Sequence, residues 1–145
     1  MLPAFPEGSR VVFIGDSITA ENLSLQWIIR AYKQMEGYEN IRFFNCGVAG
    51  GTSEFAIESY SSDIMRYKPT HAVVSFGIND SNRELLYEPR SEERLAALTD
   101  AYEKYKVNMT KLVDMLLADG VDVTLSTPFP YDEYSTSPEA PLPGG

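Results

Sequence analysis

The chain has 145 residues, a length expected for one domain spanning the whole sequence. With 43% apolar and 23% charged residues its composition is globular rather than disordered. Twelve Lys and Arg against 21 Asp and Glu give a net charge of −9. That argues against nucleic acid or an anionic membrane surface as partner, since both are bound through basic side chains.

Cys46 is the only cysteine and His71 the only histidine. An internal disulfide framework and a Cys/His zinc site are therefore excluded. Residues 1–10 carry two prolines and no apolar core of a signal peptide. No apolar run approaches the ~20 residues that span a bilayer. The expected location is cytoplasmic, or secreted if a signal has been removed.

Two periodicities alternate along the chain. Residues 11–14 form a short apolar run ended by Gly15-Asp16-Ser17 and read as a buried strand. A helix is expected over 20–35, with Leu23, Trp27, Ile28, Ala31 and Tyr32 on one stripe and Gly37 as its stop. Residues 41–45 read as a second strand, ended by a turn running from Cys46 to Gly51. Thr52 or Ser53 can cap a third segment, a helix to about residue 67, with Glu54 favourable in its first turn. Pro69 blocks its continuation.

Residues 72–76 are the third strand, ended by Gly77-Ile78-Asn79-Asp80. Ser91 caps a long helix, with Glu92 and Glu93 at its positive end. Leu95, Leu98, Tyr102, Tyr105, Met109, Leu112 and Leu116 form the expected core stripe, and Gly120 ends it. Residues 121–125 are the fourth strand. Five of the nine prolines fall in residues 128–145, which read as an irregular Pro-rich loop.

Short apolar strands alternating with helices predict a parallel sheet covered on both faces. In such sheets the ligand site lies beyond the carboxyl ends of the strands. Three of the four strands end in Gly-rich polar turns, which should gather on one edge. Ser17 at a strand-to-helix junction is either a nucleophile awaiting a base or simply a helix N-cap. Gly47 offers a free backbone N–H or merely a tight turn. The Asn79 amide can face a developing oxyanion or close an Asx-turn. Taken together, the three turns fit a nucleophile beside a three-donor oxyanion hole.

The run 11–19, Val-Val-Phe-Ile-Gly-Asp-Ser-Ile-Thr, resembles the first block of the SGNH hydrolases, also called GDSL esterases. Asn45-Cys46-Gly47 with Gly50 and Thr52 is similar to their second block, and Gly77-Ile78-Asn79-Asp80 to their third. The three blocks occur in order, each at an expected strand end. The resemblance implies a flavodoxin-like α/β/α sandwich and a serine esterase with no cofactor. It assigns Ser17 as nucleophile, and the N–H groups of Ser17 and Gly47 with the Asn79 side chain as the oxyanion hole. Asp16 and Asp80 are expected to hold the turns. Phe129 and Tyr131, after the fourth strand, either wall a substrate pocket or pack locally.

The family's fourth block, Asp-x-x-His, has no counterpart here, nor do its last strand and helix. His71 precedes the third strand, which places it on the order of 15–20 Å from Ser17, too far for a general base. The expectation is a chain lacking the C-terminal part of the fold, either an N-terminal fragment of a longer gene product or a chain completed by a separate C-terminal piece that carries the base, with a truncated, inactive homologue as the alternative. Two functions follow: a serine esterase acting on small acyl esters, acetyl esters of carbohydrates among them, or a non-catalytic ligand-binding or truncated homologue on the same scaffold. A phosphoacceptor receiver is disfavoured, because no lysine closely follows the third or fourth strand.

Overall fold

The computed structural model describes residues 5–82, 85 and 91–127. The strands are β1 (Arg10–Gly15), β2 (Arg42–Gly47), β3 (His71–Ser75) and β4 (Asp122–Leu125). They form one sheet in the order β2-β1-β3-β4, and every neighbouring pair is parallel. The α/β class and parallel sheet expected from the sequence are both present.

Side chains alternate between the two faces of the sheet, as a pleated strand requires. Val12 and Ile14 of β1 join Ala72 and Val74 of β3 beneath Leu112 and Leu116. The latter two belong to the long helix α4 (Glu92–Ala118). Ala56 of helix α3 (Ser53–Glu58) completes this layer with Tyr60 and Ile64. On the opposite face Val11 and Phe13 pack with Phe5 and with Leu25 and Tyr32 of helix α2 (Leu23–Tyr32). Helices thus cover both faces, giving three layers. No helix among the described residues is long and apolar enough to cross a membrane.

Several helices depart from the expected ones. The helix expected over 20–35 is shorter, α2 (Leu23–Tyr32), and a separate four-residue helix, α1 (Ser17–Ala20), precedes it, with Asn22 at φ 67° breaking the path between them. The buried positions of α2 are Leu25 and Tyr32, whereas Leu23 and Trp27 are exposed. Trp27 lies under the Arg30 guanidinium, 5.2 Å from the ring centre, instead of in the core. The third helix stops at Glu58 and continues as a π-turn (Tyr60–Ile64) and a 3₁₀ turn (Met65–Tyr67).

In α4 the stripe is buried at Leu112 and Leu116 but exposed at Leu95 and Tyr102. Geometry explains this: 27 residues of helix extend about 40 Å, roughly twice the length of a six-residue strand. Ser91 caps α4 as expected, accepting the Arg94 N–H through its hydroxyl. The Pro-rich 128–145 segment lies outside the described residues.

Candidate active site

The strands end level with one another. Gly15 of β1 is in register with Gly47 of β2 on one side and with Ser75 of β3 on the other. The three turns therefore open onto one edge of the sheet. They also touch: the Val48 N–H donates to Gly15 O at 3.0 Å.

Ser17 is the first residue of α1, and the cap is Asp16, not Ser17. Asp16 is buried, and its Oδ1 accepts the Ile18 N–H at 2.9 Å. That holds the turn, as expected of Asp16, and leaves the serine hydroxyl unemployed. Among the described residues none hydrogen-bonds to Ser17 Oγ. The Ser17 N–H occupies the first turn of the helix, where no intrahelical acceptor exists.

The second turn corrects one expectation. The Gly47 N–H is not free: it donates to Asn45 Oδ1 at 2.8 Å. Gly47 is glycine because α1 lies against it. A Cβ there would overlap Ala20 N and sit 2.7 Å from the Thr19 carbonyl carbon. The unengaged donor lies three residues on. Gly51 N–H donates to Val48 O at 2.8 Å, closing a four-residue turn whose third residue, Gly50, has φ +73°. That position of a type II turn demands positive φ, hence glycine. A Cβ on Gly50 would meet nothing within 4 Å, and among the described residues none accepts its N–H. The sequence carried the signal as a second glycine in the same turn, but nothing in it ranks Gly50 above Gly47.

In the third turn Asn79 is not an Asx-turn. Its Nδ2 donates across to Gly51 O at 2.9 Å, which fixes the amide against the second turn and uses one of its two protons. Asp80 Oδ1 accepts both the N–H of Ser53, at 2.9 Å, and the hydroxyl of that buried residue. This supports the N-terminus of α3, which is also capped by Thr52 through the Phe55 N–H. The Ser53–Asp80 pair had no signature in the sequence beyond a hydroxyl at a helix head. The second carboxylate oxygen of Asp80 is buried without a partner among the described residues.

His71 is at the other end of the sheet, in register with Val11 rather than Gly15. The offset of four residues places it about 13 Å down the strand. There its Nδ1 is 2.9 Å from Thr70 Oγ1 and its Nε2 is 3.5 Å from Asp122. It has the structural surroundings expected of it. Burial, with Asp63 adding, pushes the Cys46 thiol up to about 11, so it is no nucleophile at neutral pH. Phe129 and Tyr131 lie outside the described residues.

A cavity of about 190 Å³ opens beside α1, lined by Ile18, Thr19, Asn22, Leu25, Ser75 and Ser126 among others. Asn22 Oδ1 is buried there without a partner among the described residues. Two larger grooves, of about 530 and 350 Å³, lie along α4 and include none of the turn residues.

The profile of the GDSL-like lipase/acylhydrolase family matches residues 13–142. A search of curated proteins gives no match. Among solved structures, the chain superposes on BT4096, described as a gut microbial diltiazem-metabolizing enzyme, with TM-score 0.77 and 25% identity. That match covers 95% of this chain and 31% of BT4096. A catalytic mutant of Axe2, an acetylxylan esterase from Geobacillus stearothermophilus, matches with TM-score 0.69 and 22% identity over 88% of this chain and 63% of its own. The acetyl xylan esterase AlAXEase matches with TM-score 0.64 and 17% identity, over 80% and 56%. The chain thus spans less than two thirds of each of these proteins.

Proposed function

Because the chain belongs to the GDSL-like lipase/acylhydrolase family, we propose that it carries the nucleophile and oxyanion donors of a serine esterase for small acyl esters, acetyl groups on carbohydrates in particular. The observation that carries this reading is Ser17 itself. It stands at a strand-to-helix junction on the edge where three turns meet, with its capping duty taken by Asp16.

In this reading Ser17 Oγ attacks the ester carbonyl and its proton passes to a base. The carbonyl oxygen becomes an oxyanion, accepting from the N–H groups of Ser17 and Gly50 and from the free proton of Asn79 Nδ2. Gly50 replaces Gly47 here because the Gly47 N–H is already donated. The alkoxide leaves with a proton, and water hydrolyses the acyl-enzyme. Each lost oxyanion donor costs about 10²–10³ in turnover.

The cavity beside α1 supports a small acyl group. At about 190 Å³ it falls below the roughly 300–1,000 Å³ of drug-sized sites. The base is the remaining part. His71 is on the opposite edge, so in this reading the proton acceptor is a group other than this histidine.

Hydrolysis of 4-nitrophenyl acetate tests the reading, measured for the chain and for Ser17→Ala with and without added imidazole as a diffusible base. The expected result is release of 4-nitrophenolate that depends on Ser17 and grows with imidazole beyond the background of the variant. Equal rates for both proteins at every imidazole concentration would favour a non-catalytic module.

A further inference from the structure

We propose that Asn45 is a positioning residue for Ser17: its side chain ties the C-terminal carbonyls of α1 to the end of β2 and so fixes the helix that carries the nucleophile. The inference rests on the reading of Ser17 as that nucleophile.

Helix α1 has only four residues, too few to hold together by its own hydrogen bonds. It must be held from outside. At its N-terminus the buried Asp16 does this. At its C-terminus Thr19 O accepts the Asn22 N–H at 3.1 Å from within the same segment, and Asn45 adds a donor from outside it. Asn45 Nδ2 donates to Thr19 O at 2.9 Å and approaches Ala20 O at 3.4 Å.

The same side chain accepts the Gly47 N–H through Oδ1 at 2.8 Å. Its amide is therefore used on both sides, and its register position, opposite Phe13, is two residues before the level ends of the strands. With its donors committed to α1, Asn45 has none to offer a substrate oxyanion. It acts through Ser17 and not on the reacting atoms. Gly47 completes the arrangement by leaving room for the α1 backbone to rest on β2. Neither residue was expected to serve α1 from the sequence, because the contact joins segments some 26 positions apart.

The test is the reaction of the full chain with an alkyl fluorophosphonate, followed by intact mass. Ser17 Oγ forms a bond to phosphorus, fluoride leaves, and the hydroxyl proton goes to solvent buffer. Saturation kinetics separate the maximal labelling rate from reagent affinity. Asn45→Asp keeps the shape and the acceptor for Gly47, but sets a carboxylate against Thr19 O and Ala20 O. At pH 8 its maximal labelling rate should fall about 10- to 100-fold, the effect of displacing a reacting atom by up to about 1 Å, while affinity changes little. Protonation restores a donor, so the ratio of variant to wild-type rate should rise as the pH falls towards the ordinary aspartate range of about 4.

A folded Asn45→Asp that labels within twofold of wild type at pH 8 overturns the inference while leaving Ser17 as nucleophile. With imidazole supplied as the diffusible base throughout, wild type labelling no faster than Ser17→Ala overturns the esterase reading, and the inference with it. A fold-independent check uses wild type alone. The Gly47 amide should exchange with deuterium about tenfold or more slowly than that of Gly50, and equal exchange would remove the clamp.

Discussion

Gly47→Ala tests how α1, the helix that carries Ser17, is seated, and its magnitude follows from the close approach of α1 to β2. The added Cβ would lie 2.7 Å from the Thr19 carbonyl carbon and 2.9 Å from Ala20 Cα, and would overlap Ala20 N. Ordinary contact begins near 3.4 Å, so α1 has to retreat by about 0.5–0.7 Å or more, as overpacked sites do. Strand β2 cannot give way instead, because Gly47 is paired with Gly15 in the sheet.

Overpacking of this kind costs about 1–3 kcal/mol, which lowers Tm by roughly 2–12 °C in a domain of this size. The displacement also moves Ser17, for which about tenfold slower fluorophosphonate labelling is expected. Gly120→Ala is the matched control. Gly120 has φ +74° and an open Cβ position, and it follows α4, away from the three turns. Its cost is backbone strain of about 1–2 kcal/mol with no change in Ser17 labelling. A Gly47→Ala protein with unaltered Tm and wild-type labelling would refute the packing argument.

Two further outcomes check the core and the cysteine. Leu112→Ala, at a fully buried position beneath the sheet, should lose about 2–5 kcal/mol in urea unfolding; a loss under about 1 kcal/mol would mean that α4 is not packed there. The Cys46 thiol is raised from 9.0 to about 11, first by burial and then by Asp63. At pH 8 only about one molecule in a thousand carries the thiolate, so Ellman's reagent should react slowly with the native chain and rapidly once it is unfolded in urea. A folded pKa above the unfolded one stabilises at low pH. The contribution is therefore complete below pH 9 and lost as the pH rises towards 11, and Cys46→Ser should flatten the decline in urea midpoint over that window.

The central strands β1 and β3 were legible because each is a short, mostly apolar run between turn residues, while the edge strands β2 and β4 carry polar residues and were placed mainly by their flanking turns. Helix faces were less so. Segment α2 carries Leu23, Leu25, Trp27, Ile28 and Ile29, which surround the helix instead of marking one side. Several stripes fit a 3.6 period equally well, and contact with Phe13 and Phe43 selects the one through Leu25 and Tyr32. The break at Asn22 was hidden for a related reason. Asn tolerates the left-handed region but does not require it, so the residue alone does not announce a bend.

The candidate site divides along the same line. A serine after a strand, an Asn-Asp pair after another and a Gly-rich turn between them are local patterns, and each can be read without knowing its neighbours. What each group is free to do depends on its partners. Gly47 and Gly50 are chemically identical and three positions apart, and either could present an N–H. Only the fold shows that one N–H is spent on Asn45 while the glycine makes room for α1, and that the other sits at positive φ with its N–H unclaimed. Glycine is selected for the atoms it lacks, and the reason for that absence lies in the segment packed against it. The donor to test at the second turn is therefore Gly50, and the substitution that disturbs the seating of Ser17 is at Gly47.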